Sequence, residues 1–129
     1  MDEKFFQVSV KGLCFDNGNK VLMIQEDSGL WELPGGRIEL GEDFIGCLQR
    51  ECLEEMGLAC QVLDKQPSIV YPAADKNGRG RIMVFYKISF DNLNFKPSVE
   101  CRAIKFCAKG EIEKLEIPLQ LKKLLEFLK

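Results

Sequence analysis

"GRIELGEDFIGCLQRECLEEMGL", residues 36–58, holds eight charged side chains and four glycines in one run. Four of its glutamates, Glu42, Glu51, Glu54 and Glu55, are grouped around one arginine, Arg50. From residue 43 to residue 56 the apolar spacing is helical. At about 100° per residue, Ile45, Leu48 and Cys52 share one face and can bury against a sheet. Glu51, Glu54 and Glu55 stand at i, i+3 and i+4 beside that face and are expected to converge at the edge of a cleft. Like charges at this spacing repel, so the arrangement costs stability unless a cation lies between them.

The chain contains no histidine, so this arc offers only hard oxygen ligands. Such ligands select Mg²⁺, with Mn²⁺ as the alternative, over zinc or copper. Mg²⁺ is commonly held by a few carboxylates plus substrate phosphates, which points to a phosphate-bearing substrate. The preceding "LPGG" places Gly35 and Gly36 where bare backbone can approach a ligand, and a backbone carbonyl can join the metal shell. Gly57 follows the helix as a left-handed cap would. Arg50 lies four residues before Glu54 and can pair with it or reach Glu42, orienting carboxylates without binding metal. The bland alternative is a solvated acidic helix whose Arg50–Glu54 pair adds ~0.3 kcal/mol. That alternative requires the glycines, the arginine and four spaced glutamates to coincide by chance.

The run resembles the Nudix box, GX5EX7REUXEEXGU with U a bulky aliphatic residue. Gly36, Glu42, Arg50, Glu51, Glu54, Glu55 and Gly57 fill every glycine and charged position, and Cys52 stands at the first aliphatic one. "WELPGG" ahead of the box and the stretch from Glu100 to Phe106 also look like the family. The resemblance implies an α/β fold class: a Nudix-type α/β/α sandwich around a mixed β-sheet. It implies hydrolysis of a nucleoside diphosphate linked to another moiety X. Glu51, Glu54, Glu55 and the Gly36 carbonyl would hold the metal, Glu42 and Arg50 would support them, and Glu100 is the candidate ligand outside the box.

Metal charge and an acidified water would overcome the repulsion of the diphosphate oxygens. With no histidine, the proton acceptor must be a carboxylate, and Glu51 and Glu54 are the candidates. Nucleoside triphosphates rank first as substrates and ADP-ribose-like sugar nucleotides second. Pro72, fifteen residues after Gly57, resembles a marker of ADP-ribose-hydrolysing members, with a loop-opening proline as the simpler reading. Trp31, Tyr71 and Phe5 are candidates to stack a nucleobase, each with core or rim packing as its alternative. A nucleotide-binding module without turnover is the alternative of a different class, disfavoured because every charged box position is kept.

The rest of the chain sets the frame. At 129 residues the sequence predicts one domain, residues 1–129, with a core of its own. A net charge of -2 excludes a general attraction to nucleic acid or anionic membranes. The sequence holds no apolar run of membrane-spanning length, and "MDEKFFQVSV" lacks the pattern of a signal peptide, so a cytoplasmic location is expected. Six cysteines without CxxC spacing read as reduced core residues. "FFQVSVKGLCF" and "VLMI" around "DNGN" predict a β-hairpin, and "RIEL" a short strand. "CQVLDKQPSIVY", "RIMVFYKISF" and "VECRAIKFC" predict further strands, with a polar loop at residues 72–80. Pro118 at a first helical position and Leu121, Leu124, Leu125 and Leu128 on one face predict a docked terminal helix. A monomer and a homodimer are equally compatible with these features.

Overall fold

The computed structural model describes residues 5–129; residues 1–4, part of the amino terminus read above, lie outside it. Eight strands form two sheets. The larger is mixed and contains β1 (Phe6–Leu13), β4 (Gly35–Arg37), β5 (Cys60–Val62), β6 (Ile69–Ala74) and β7 (Gly80–Phe90), in the order β4-β1-β7-β5, with β6 also paired to β7. The smaller has the order β3-β2-β8, from Trp31–Glu32, Val21–Gln25 and Ala103–Cys107. Helix α1 (Phe44–Met56) covers one face. The short α2 (Lys109–Ile112) and a 3-10 helix (Leu119–Phe127) cover the other.

Strand β1 departs from the expected hairpin. The turn itself forms, because Asp16 Oδ1 accepts the N–H groups of Gly18 and Lys20, both at 2.9 Å. Pairing across it stops at a single bridge between Phe15 and Val21. Residues 9–13 are buried on both faces of β1, the mark of a central strand. Such a strand needs partners on both edges, and it finds them in β4, antiparallel, and β7, parallel.

"CQVLDKQPSIVY" is likewise two strands rather than one. Both β5 and β6 pair with β7, at Ile88–Phe90 and at Gly80–Phe85 respectively, so the chain must leave the sheet edge between them. It does so around Pro67, which has no N–H to donate to a ladder. Strand β6 runs on through Ala74, which shortens the expected polar loop.

Helix α1 begins where Asp43 caps it, its carboxylate accepting the Gly46 N–H at 2.7 Å, and ends at Gly57 with φ 68°. Leu48, Cys52 and Met56 are fully buried in the first core with Val10, Leu22 and Val84. Each large apolar side chain so buried contributes roughly 1.5–3 kcal/mol. The second core, on the opposite face, gathers Leu13, Met23, Leu33, Phe85 and Leu121. The terminal segment is a 3-10 helix with Pro118 as its cap residue. At three residues per turn Leu121 and Leu124 align and bury, leaving Leu125 and Leu128 at the margin. All six cysteines are buried free thiols, and no helix among the described residues is long and apolar enough to cross a membrane.

The two faces of α1 should respond differently to truncation. Leu48→Ala removes a fully buried side chain and is expected to cost ~2–5 kcal/mol. Leu53→Ala, on a residue 53% exposed, should stay within ~0.5 kcal/mol in urea denaturation.

Candidate functional site

The turn between β3 and β4 lies against α1, and three contacts hold it there. The Gly35 N–H donates to Glu55 Oε1 at 3.0 Å. Lys11 Nζ, reaching from β1, donates to the Gly35 carbonyl at 3.1 Å and stands 3.6 Å from Glu32 Oε1. Gly35 has φ 126°, and any side chain there would strike the Val10 carbonyl, so only glycine satisfies the position. Gly36 is constrained differently: a Cβ would collide with the Glu51 carboxylate, which sits directly against its backbone.

One ligand oxygen each from Glu51, Glu55 and Glu100 lies within 4.8 Å of the others. Glu100 comes from a turn after the helix, and Ser98 ties that turn down. Ser98 Oγ donates to the Glu55 carbonyl at 2.8 Å and accepts the N–H groups of Glu100 and Cys101. Oxygen-only donors beside a backbone that has no room for a side chain form a set that fits a hard divalent cation such as Mg²⁺ or Mn²⁺.

Arg50 organises the flank of this cluster. Its Nε donates to Glu42 Oε2 at 2.6 Å, and Nη1 donates to Glu51 Oε2 at 2.7 Å and Glu54 Oε2 at 2.8 Å. Its Nη2 reaches Glu42 Oε1 and the Arg37 carbonyl. The bonds from Arg50, aided by the Glu39 N–H, hold the Glu42 carboxyl down at about 2. Glu55 goes the other way: burial pushes it up to about 8, against the opposing pull of Lys11 and the Gly35 N–H. Burial alone would lower Lys11, but Glu32, Glu55 and Glu51 outweigh it and raise the ammonium above 10.5.

A cavity of about 450 Å³ opens beyond Glu32 and is also lined by Asp75, Arg81, Ile117 and Gln120. Asp75 accepts the N–H groups of Asn77 and Arg79 and fixes Arg81 through Nε at 3.0 Å. The Nη groups of Arg81 have no hydrogen-bond partner among the described residues. A relay links this cavity to the carboxylate cluster: Glu32 meets Lys11, Lys11 donates to the Gly35 carbonyl, and the Gly35 N–H donates to Glu55.

A model of the NUDIX domain matches residues 5–128. The chain belongs to the NUDIX family. Over 56 residues it is 49% identical to the 8-oxo-dGDP phosphatase NUDT18 of Mus musculus, covering 40% of this chain and 17% of the mouse protein. Over 80 residues it is 35% identical to an ADP-ribose pyrophosphatase of Methanocaldococcus jannaschii, covering 59% of this chain and 46% of that one. The chain therefore spans well under two thirds of these relatives. Among solved structures, the MutT protein from Methanosarcina mazei Go1 superposes with a TM-score of 0.78 at 19% identity, covering 98% of this chain and 95% of that one. The E. coli ORF135 protein gives a TM-score of 0.76 at 24% identity, covering 94% and 86%. These likenesses establish the mixed α/β NUDIX fold.

Within that fold the structure brings Gly36, Glu51, Glu55 and Glu100 together and places Glu42 and Arg50 beside them. The expected convergence of three helix glutamates is only partly realised. Glu54, with a side chain 51% exposed, turns to Arg50 at the rim. None of the aromatic candidates lines the cavity. Tyr71 is a core residue, its ring stacked on Phe127 and its hydroxyl donating to the Gln120 carbonyl. Trp31 packs against the second core, and Phe5 is exposed just ahead of β1. Lys11, Glu32 and Ser98 escaped sequence reasoning because each acts through a partner distant in the chain, and Arg81 because only the turn closed by Asp75 brings it to the cavity. The one available signal was a lysine inside an otherwise buried strand.

Because its folded pKa lies above the ordinary 4.5, ionising Glu55 opposes folding in the metal-free protein. Its stabilising contribution is intact below about 4.5 and is lost as pH rises through about 8, a difference of roughly 2–5 kcal/mol. Urea melts in chelator at several pH values should show this decline, and Glu55→Gln should flatten it. Equal slopes in the two proteins would exclude Glu55 as the source.

Proposed function

We propose that this protein hydrolyses the phosphoric anhydride bond of a nucleoside diphosphate linked to a further moiety, with a nucleoside triphosphate as the leading substrate. The observation that supports this most is the convergence of Glu51, Glu55 and Glu100 against Gly36, joined through Gly35, Lys11 and Glu32 to a cavity of nucleotide-accommodating size. Relatives named 8-oxo-dGDP phosphatase and 8-oxo-dGTP diphosphatase support the same class.

Glu51, Glu55, Glu100 and the Gly36 carbonyl would hold a divalent cation, Mg²⁺ or Mn²⁺. Such a cation supplies charge that neutralises the diphosphate oxygens and makes an attacking water more acidic. Arg50 keeps Glu51 and Glu54 in fixed orientation by donating to both. Glu51 or Glu54, the two candidate bases that Arg50 holds, accepts the proton of the water as its oxygen attacks phosphorus. A new P–O bond forms and the anhydride P–O bond breaks, leaving two phosphorylated products. The nucleoside occupies the adjoining cavity, where the free Nη groups of Arg81 donate to an acceptor on the base and the Glu32 carboxylate accepts from a donor.

The deciding experiment incubates purified protein with Mg²⁺ and a panel of nucleoside triphosphates, ADP-ribose and other sugar nucleotides, with products identified by mass. Turnover of a triphosphate to monophosphate and pyrophosphate is expected, with activity abolished by excess chelator. Preferential cleavage of ADP-ribose would move the assignment to the sugar-nucleotide class. Tight nucleotide binding without any product would make the protein a binding module.

Glu51→Gln and Glu55→Gln should each lower kcat by ~10²-fold or more while the proteins stay folded. Arg81→Ala should instead raise KM about tenfold with kcat largely retained, because it removes contacts to the part of the substrate that does not react. Steady-state kinetics on the best substrate of the panel separates the two effects.

A further inference from the structure

A second cavity, of about 460 Å³, shares no residue with the site above. Its floor is apolar, from Leu13 at the end of β1 and Ile69 at the start of β6. Two aromatic rings flank it, Phe15 at 37% and Phe127 at 48% exposure. Both rings stand on braced segments. Phe15 precedes the turn closed by Asp16 and bridges Val21. Phe127 is stacked on the buried Tyr71, with centroids 5.9 Å apart and planes within 5°.

The charged side chains that line this cavity have one sign. Lys87 and Lys109 line it, together with Lys129, and no aspartate or glutamate side chain does. Among the described residues neither Lys87 nor Lys109 makes an ion pair, whereas Lys11 and Lys20 do. Ammonium groups beside an apolar floor focus positive potential, because the low-dielectric wall screens them less than water. Half-exposed aromatic rings at a concave surface carry a solvation cost that an apolar guest relieves. The volume lies in the range of small-molecule sites.

We propose that this cavity is a binding site for an amphipathic organic anion, a carboxylate whose acyl chain lies between Phe15 and Phe127 while its head group meets Lys87 and Lys109. The carboxylate takes charge-assisted hydrogen bonds from the two ammonium groups, and the chain covers Leu13 and Ile69. The site is separate from the hydrolytic centre, and its occupancy does not depend on which nucleotide that centre takes.

Decanoate serves as the probe, titrated calorimetrically into the full chain below its micelle concentration. One saturable site is expected, with no competition from decyltrimethylammonium and none from inorganic pyrophosphate with Mg²⁺. The Lys87→Glu, Lys109→Glu variant should bind at least tenfold more weakly, with hydrolysis unchanged. Phe127→Ala should also weaken binding. Lys87→Gln, Lys109→Gln gives the same reading should the charge reversal impair folding, with a smaller loss expected. Absence of saturable binding, equal affinity in the lysine variants, or equal displacement by the cationic amphiphile would each overturn the assignment. Displacement by pyrophosphate would also overturn it, by placing the anion at the glutamate cluster.

Discussion

The bond from the Gly35 N–H to the Glu55 carboxylate, 3.0 Å long, joins residues twenty apart and is the contact on which the site's geometry rests. Glu55 is 6% exposed, so its carboxyl must be met by donors inside the protein. The Gly35 N–H meets part of that need, and in doing so it locks the turn to the helix. Lys11 holds the other side of the same residue, through the Gly35 carbonyl in the next peptide unit. A glycine with φ 126° wedged against Val10 completes the clamp, and Gly36 is thereby set against Glu51. The polar arrangement is compact because each buried charge constrains the backbone of its neighbour.

That clamp explains why the helix face could be read from sequence and the full cluster could not. Helical spacing put Leu48 and Cys52 inward and Glu51 and Glu55 on one flank, and α1 follows it from Phe44 to Met56. Spacing treats Glu54 as equivalent to its neighbours, but Arg50 is four residues away and takes it outward. The spacing offered Arg50 to Glu54 or to Glu42; that one guanidinium holds both of these and Glu51 as well is set by the folded geometry. Glu100 depended on resemblance alone, since its turn is brought home by long-range bonds, from Ser98 Oγ and the Lys96 N–H to the end of α1 and from the Asp27 N–H to the Val99 carbonyl.

Strand order was less legible than strand existence. Alternation and turn residues located β1, β2, β7 and β8 within a few positions, because each reflects local chemistry. Pairing partners are a property of the whole sheet. "DNGN" makes a sound turn, yet β1 and β2 go to different sheets because β1 is buried on both faces and takes a partner on each edge, the short β4 and the long β7. The terminal leucines announced a docked segment correctly and its 3-10 winding not at all, since i and i+3 apolar pairs suit both helix types.

The parallel pairing of β1 with β7 runs from Phe6–Gly80 to Leu13–Lys87, a separation of more than seventy residues along the chain. A ribosome delivering this protein exposes β1 long before its main partner exists. Until β7 emerges, α1 has no finished surface to cover, and the apolar side chains of β1 stay open to chaperones or to other chains. Closing so long a loop before contacts reward it slows the search for the native state. Loss of β7 pairing removes the support of β1, β5 and β6 at once, so unfolding is expected to be all-or-none. The strand that carries Lys11 to the carboxylate cluster is thus made well before the partner strand that secures it.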